Sequence, residues 1–168
     1  MTLSVVVRIL LWVVMLFGGT WYALVEDWEN PLFRSFWFHV GSAIIGLFLM
    51  ILAFRAAGNG GRELTKGRVG DIPRLETNRL VITGIYSCMR HPMLFGLMLL
   101  PLAWALLLGS PTFILYIAPS EMLFIIVMVI LFEEMEVKRK FGQAYEAYSK
   151  DTPMVSFEAK CLRELFKK

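Results

Sequence analysis

Apolar residues along this chain gather in four long runs separated by polar punctuation. A helix needs about 20 mostly apolar residues to cross a hydrocarbon core about 30 Å thick. Residues 3–25 (LSVVVRILLWVVMLFGGTWYALV) and 36–54 (FWFHVGSAIIGLFLMILAF) meet that length. Residues 93–109 (MLFGLMLLPLAWALLLG) are short for a span, and 112–132 (TFILYIAPSEMLFIIVMVILF) follow after only Ser110 and Pro111. So close a spacing predicts a tight antiparallel helical hairpin. Pro101 and Pro119 are expected to kink its arms, because proline lacks an N–H and clashes with the preceding turn; neighbouring helices can resatisfy the freed groups. The expectation is an all-α integral membrane bundle of about four transmembrane helices. It forms a single membrane-embedded domain over residues 1–168, with a polar loop at 55–92 and a tail at 133–168.

Composition agrees, since 57% hydrophobic residues exceed the roughly 45–50% apolar share of soluble domains, and the mean hydropathy is positive at +0.62. The first run resembles a signal peptide in position. Its apolar stretch is longer than the usual signal core, however, and TWYALVEDW offers no small-residue cleavage site, so a retained helix is expected. Fifteen of the 17 basic residues lie in the loop and the tail. The positive-inside rule then places both termini, the loop and the tail on the cytoplasmic side. These charges set topology and attract anionic lipid; their sum of +3 says nothing about nucleic acid, and no nucleic-acid partner is expected. Cys88 and Cys161 fall on that reducing side, which argues against a disulfide. With His39 and His91 they give no metal-ligand spacing, so no metal is expected. His39 reads as a hydrogen-bonded helix contact and Arg8 as a snorkelling residue. The ten methionines read as adaptable packing or as the wall of an apolar tunnel.

The central AAGNGGRELTKGRVGDIP is glycine-rich and polar, and is expected to be a mobile segment. In RLETNRLVITGIYSCMRHP a short β-branched run then ends in a glycine turn. After the fourth run, VILFEEMEVKRKFGQAYEAYSKDTPMVSF predicts a helix on which Val129, Glu133, Val137 and Phe141 share a face. Tyr145 and Tyr148 extend it as an amphipathic tail, and Pro153 stops it. Carboxylates leaving a membrane are costly unless paired. The hairpin supplies partners, because it brings Arg90 and His91 beside Glu133 and Glu134. Such a pocket suits a polar cosubstrate at a membrane surface. The competing view is a set of interfacial charges that neutralise one another. Glu121, near mid-span, either pairs with Ser120, lines a substrate tunnel, or marks a shorter span.

The stretches LVITGIYSCMRHPMLFG and EEMEVKRKFGQAYEAYSKDTP, in that order and separated by a hairpin, resemble the integral membrane methyltransferases that include isoprenylcysteine carboxyl methyltransferase and the phospholipid N-methyltransferases. The resemblance covers about residues 78 to 157. It implies S-adenosylmethionine as methyl donor, bound at the cytoplasmic end of the hairpin, with a lipid or lipidated acceptor entering from the bilayer. Leu80 and Val81 would offer backbone groups to the cofactor, and Tyr86, His91, Pro92, Met93 and Leu94 would line its pocket. Glu133 would reach a polar group of it, while Arg90, His91 and Glu134 would form the catalytic cluster, with Glu134 paired to Arg90. Three positions depart from the family pattern. Leu94 replaces a tyrosine, Val129 stands where the eukaryotic carboxyl methyltransferases carry a substrate-holding arginine, and Met154 follows Pro153 in place of a basic residue. An amine, thiol or hydroxyl acceptor is therefore expected over a carboxylate. The same framework resembles membrane sterol reductases that use a nicotinamide cofactor, and a non-catalytic scaffold protein is a third alternative.

Overall fold

The computed structural model describes residues 3–70 and 77–167, with side chains described from Leu10 onward. The loop residue Arg74 and the side chain of Arg8 lie outside them. Among the described residues six α-helices follow in order: α1 (Leu3–Glu26), α2 (Phe36–Lys66), α3 (Pro92–Leu108), α4 (Ala118–Met128), α5 (Glu134–Asp151) and α6 (Ala159–Glu164). No strand occurs among the described residues. Among the described residues three helical stretches, Leu10–Glu29, Phe36–Lys66 and Phe113–Asp151, are long and apolar enough to cross a membrane, and Pro92–Leu108 is a shorter apolar helix. The chain is thus a helical integral membrane protein, as its apolar runs predict.

The chain forms two compact groups, one of residues 1–50 and 99–124, the other of residues 51–98 and 125–168. In the first, Ala23, Ala105, Phe113 and Ala118 make a closed core flanked by Leu16, Trp104 and Ile117. Small residues set the spacing. A side chain at Gly46 would collide with the backbone of Ala103 and Leu107, so only glycine lets α2 and α3 approach there. The hairpin turn consists of Gly109 and Ser110, with Pro111 already helical, one residue earlier than the spacing predicts. Gly109 adopts φ +65, and the ring of His39 occupies the space a side chain would need. Ser110 caps the next helix, its Oγ accepting from the Phe113 N–H at 3.0 Å, and Pro111 takes the first helical position where no N–H is required. His39 itself hydrogen-bonds the Phe33 carbonyl at 2.5 Å, the helix contact its position suggests.

Pro119 is accommodated by a wide turn. Phe113–Ile117 is π-helical, and its enlarged turn opens the place where the proline ring would clash with the residue four back. Helix α3 continues through buried Pro101 without interruption. Glu121 is buried, and neither of its oxygens has a hydrogen-bond partner. Ser120 donates instead to the Tyr116 carbonyl at 2.7 Å, so the pairing between Ser120 and Glu121 does not form.

In the second group, AAGNGGRELTK is helix and not mobile loop, because α2 continues to Lys66. Three glycines should weaken such a helix by about 1 kcal/mol each relative to alanine. Tertiary contacts offset the loss: Gly60 admits Pro92 and Met93, the Ala53 backbone reaches Gly96, and the Asn59 side chain donates to the Leu165 carbonyl at 2.6 Å. The chain on either side of the undescribed residues is tied together by Asn78, which bonds both the N–H and the carbonyl of Val69 at 2.8 and 2.6 Å.

Candidate active site

The segment before α3 is built by a glycine turn and a proline. Gly84 adopts φ +58, and the Glu63 carboxylate lies where a side chain would stand, so the turn before Ile85 and Tyr86 requires glycine. Pro92 opens α3 at the first helical position, and the residue before a proline is held out of the helical region. Arg90, in a bend, and His91 therefore stay outside the helix, and their N–H groups donate to the carbonyls of Pro153 and Met154 at 2.9 and 3.0 Å. The tail after α5 thus clips the Arg-His pair in place.

The opposite wall comes from the long helical stretch beyond α4. Val129–Glu133 is π-helical, which inserts one extra residue into the turn. Each residue advances a helix by about 100°, so the buried stripe Glu121, Ile125, Val129 skips Glu133 and continues at Glu134. The expected face through Val129 and Glu133 is corrected accordingly: Glu133 is exposed and Glu134 points inward. Beyond it, Gly142 breaks α5 with φ 52 and ψ −130, a conformation that is essentially glycine-only. The break re-aims the remaining turns, and Tyr145 is 2% exposed.

These elements converge on one oxygen. Glu134 Oε1 accepts from His91 Nε2 at 2.8 Å and from the Tyr145 hydroxyl at 2.8 Å, and pairs with Arg90 Nη2 at 3.3 Å. A carboxylate only accepts, so His91 carries its proton on Nε2 here. Its other ring nitrogen lies 3.9 Å from Glu133 Oε2. Arg90 also donates to the Ser149 carbonyl at 3.2 Å, while its buried Nε has no partner. Burial works against the Glu134 charge, but the hydrogen bonds from Tyr145 and His91 and the Arg90 cation outweigh it and hold the carboxyl below its ordinary value. Burial raises Tyr145 well above the phenol range, helped by its bond to Glu134 and by the Glu134 charge. Tyr145 is a neutral donor at any physiological pH.

Nearby, the Tyr148 hydroxyl donates to the Tyr86 carbonyl, and the Tyr145 and Tyr148 rings meet edge to face at 6.0 Å. Burial also raises both Tyr86 and Tyr148, so they too stay neutral. Cys88 and Cys161 are buried free thiols that hydrogen-bond each other; burial, then that bond, pushes Cys88 up to about 11. A thiol of that kind is a poor nucleophile.

The structure thus brings Arg90, His91, Glu133 and Glu134 together and adds Tyr145. The remaining residues are spread around them. Val81, Tyr86, Pro92 and Leu94 are buried, and Met93 packs against Gly60. Leu80 lines a pocket of about 470 Å³ together with Ile82, Ser87, Tyr148, Asp151 and Thr152. A cationic, hydroxyl-bearing cosubstrate matches this chemistry, with apolar walls, an aromatic ring, a carboxylate and hydroxyls. Sequence periodicity missed Tyr145 as a ligand of Glu134, although the glycine three residues before it was the available signal. It also missed the clip by Pro153 and Met154, which is backbone and leaves no side-chain pattern. Among the described residues no cluster of three or more histidine, cysteine or acidic side chains could hold a metal.

The family model for phospholipid methyltransferases matches residues 34–144, more than half of the chain. No curated protein and no solved structure matches it.

Proposed function

Since the chain belongs to the phospholipid methyltransferase family, we propose that it is an S-adenosylmethionine-dependent membrane methyltransferase acting on a lipidic or apolar acceptor. One observation carries the reading beyond family membership: Arg90 and His91, from the first motif, and Tyr145, from the second, converge on Glu134. S-adenosylmethionine, when bound, supplies a methyl group on a cationic sulfur. Leu80, Val81, Tyr86 and the stretch from His91 to Leu94 would hold it by shape and backbone groups, and Glu133, exposed beside His91, would take a polar group of it. Methyl displacement requires alignment and exclusion of water more than a strong acid or base, and buried apolar walls with fixed polar groups favour both.

The acceptor enters from the bilayer, and the cofactor from the cytoplasmic side on which the basic loop and tail are placed by charge. Position 129 is a buried valine, and a carboxylate acceptor would find no arginine there. We assign an amine, thiol or hydroxyl acceptor on an apolar molecule, in preference to an isoprenylcysteine carboxylate. Calorimetric titration of S-adenosylhomocysteine into detergent-purified protein tests the cofactor. Saturable binding that is lost in Glu133→Ala and in His91→Ala is the expected result. Binding of a nicotinamide dinucleotide instead would overturn the methyltransferase in favour of a reductase, and binding of neither, by a folded protein, would leave a non-catalytic scaffold.

A further inference from the structure

Glu134 is held by three side chains, and one of them reaches it by an unusual route. Tyr145 lies 11 residues further along the same helical stretch, a separation at which an unbroken helix would carry its side chain about 16 Å away along the axis. The two meet because the helix is broken between them at Gly142. Nothing lies within 4 Å of a side chain built at Gly142, so no packing requires glycine there. Only its backbone conformation does.

We propose that Tyr145 is a positioning residue, delivered by the left-handed break at Gly142, whose hydroxyl fixes the Glu134 carboxylate and through it the imidazole of His91. The geometry is specific. The hydroxyl donates to Glu134 Oε1 at 2.8 Å, and His91 Nε2, which shares that oxygen, stands 3.5 Å from it. The Arg90 guanidinium lies over the Tyr145 ring at 5.8 Å from its centroid, so one aromatic side chain meets Arg90, His91 and Glu134. With Tyr145 in place the Glu134 oxygen is shared among three donors, and the imidazole cannot rotate without losing its acceptor. The consequence is a pair of glutamates with divided tasks: Glu134 is committed to holding His91, and Glu133 faces outward.

The charged and titratable groups facing Glu134 are Arg90 and His91 from the segment before α3, Tyr145 from the far part of α5, and the adjoining Glu133. Donors hold its carboxyl below the ordinary value of 4.5, so the competent ionised form is complete above that value and is lost as pH falls through the folded one. Removing one donor raises the folded value, and the loss then begins at higher pH.

The inference rests on the cofactor reading for its binding readout, and a second readout is independent of it. Affinity for S-adenosylhomocysteine and thermal unfolding would both be followed against pH for the wild type, Tyr145→Phe, Gly142→Ala and Tyr148→Phe. Tyr145→Phe and Gly142→Ala should each weaken affinity about tenfold, the scale of one charge-assisted hydrogen bond, move the acid limb of binding toward neutral, and shrink the stability lost on acidification, because the folded carboxyl value then lies nearer the unfolded one. Tyr148→Phe, which loses a bond only to the Tyr86 carbonyl, should leave the acid limb in place. An unmoved acid limb in Tyr145→Phe would reduce Tyr145 to packing and overturn the proposal. If the wild type binds no S-adenosylhomocysteine, the cofactor reading fails separately, and the stability lost on acidification still decides the role of Tyr145.

Discussion

Asp27, in the first compact group, and Glu134, in the second, are both buried carboxylates, and their surroundings could hardly differ more. Asp27 accepts from the Ser110 hydroxyl, and from the Thr112 hydroxyl and N–H at 2.6 and 3.1 Å. All three donors come from one short turn, and none can change charge. Glu134 draws on an arginine, an imidazole and a phenol delivered from two separate parts of the chain. A carboxylate satisfied by neutral local donors latches a turn. One satisfied by cationic and titratable donors from afar has a geometry that depends on protonation, and sites of chemistry are built that way. Glu121 is the third case, buried with no donor at all.

The widest separation between the two regions should come from Glu134→Ala. It leaves Arg90 and His91 without their shared acceptor, so unfolding free energy should fall by about 3–5 kcal/mol and binding of S-adenosylhomocysteine should vanish. A variant as stable as wild type in denaturant titration would show that the cluster does not organise this region. Asp27→Ala comes next. Three donors lose one acceptor, with an expected cost of about 1–3 kcal/mol in the same titration, while cofactor affinity stays unchanged. A loss of affinity there would erase the distinction between latch and site.

Glu121→Met should move stability the other way. Replacing an unpartnered buried carboxyl with an apolar side chain of similar size is expected to stabilise by about 1 kcal/mol, read as a raised thermal midpoint. A lowered midpoint would mean that Glu121 serves a partner that packing alone does not reveal. The smallest effect is the acid dependence of the wild type. Because the Glu134 carboxyl sits below its ordinary value, its contribution is present above 4.5 and fades as pH falls further, and Glu134→Gln should flatten that part of the profile.

Several features could be read directly along the chain. The apolar runs gave helices of spanning length, and α3 opens at Pro92, one residue before the run expected from Met93. The nearness of Arg90 and His91 to the paired glutamates followed from a short hairpin. Which glutamate turns inward did not follow, because a regular helix places Glu133 with Val129 and the π turn advances the stripe by one residue. The glycines after Ala57 looked like a loop for a similar reason. Local propensity disfavours helix there, and only the approach of α3 and the Asn59 bond to Leu165 compensate.

By itself the sequence determined what repeats within a turn or two of helix: the apolar blocks, the punctuation by proline and glycine, the order of the two motifs and the charge bias of the loop and tail. These depend on neighbours a few residues away, and periodicity encodes them. Tertiary structure alone decided the phase of the glutamate pair, the break at Gly142 and the meeting of Tyr145 with Glu134. It also decided the clip from Pro153 and Met154. Those arrangements are settled by what the far side of each residue packs against, and one-turn patterns carry no record of a partner that arrives from elsewhere in the chain.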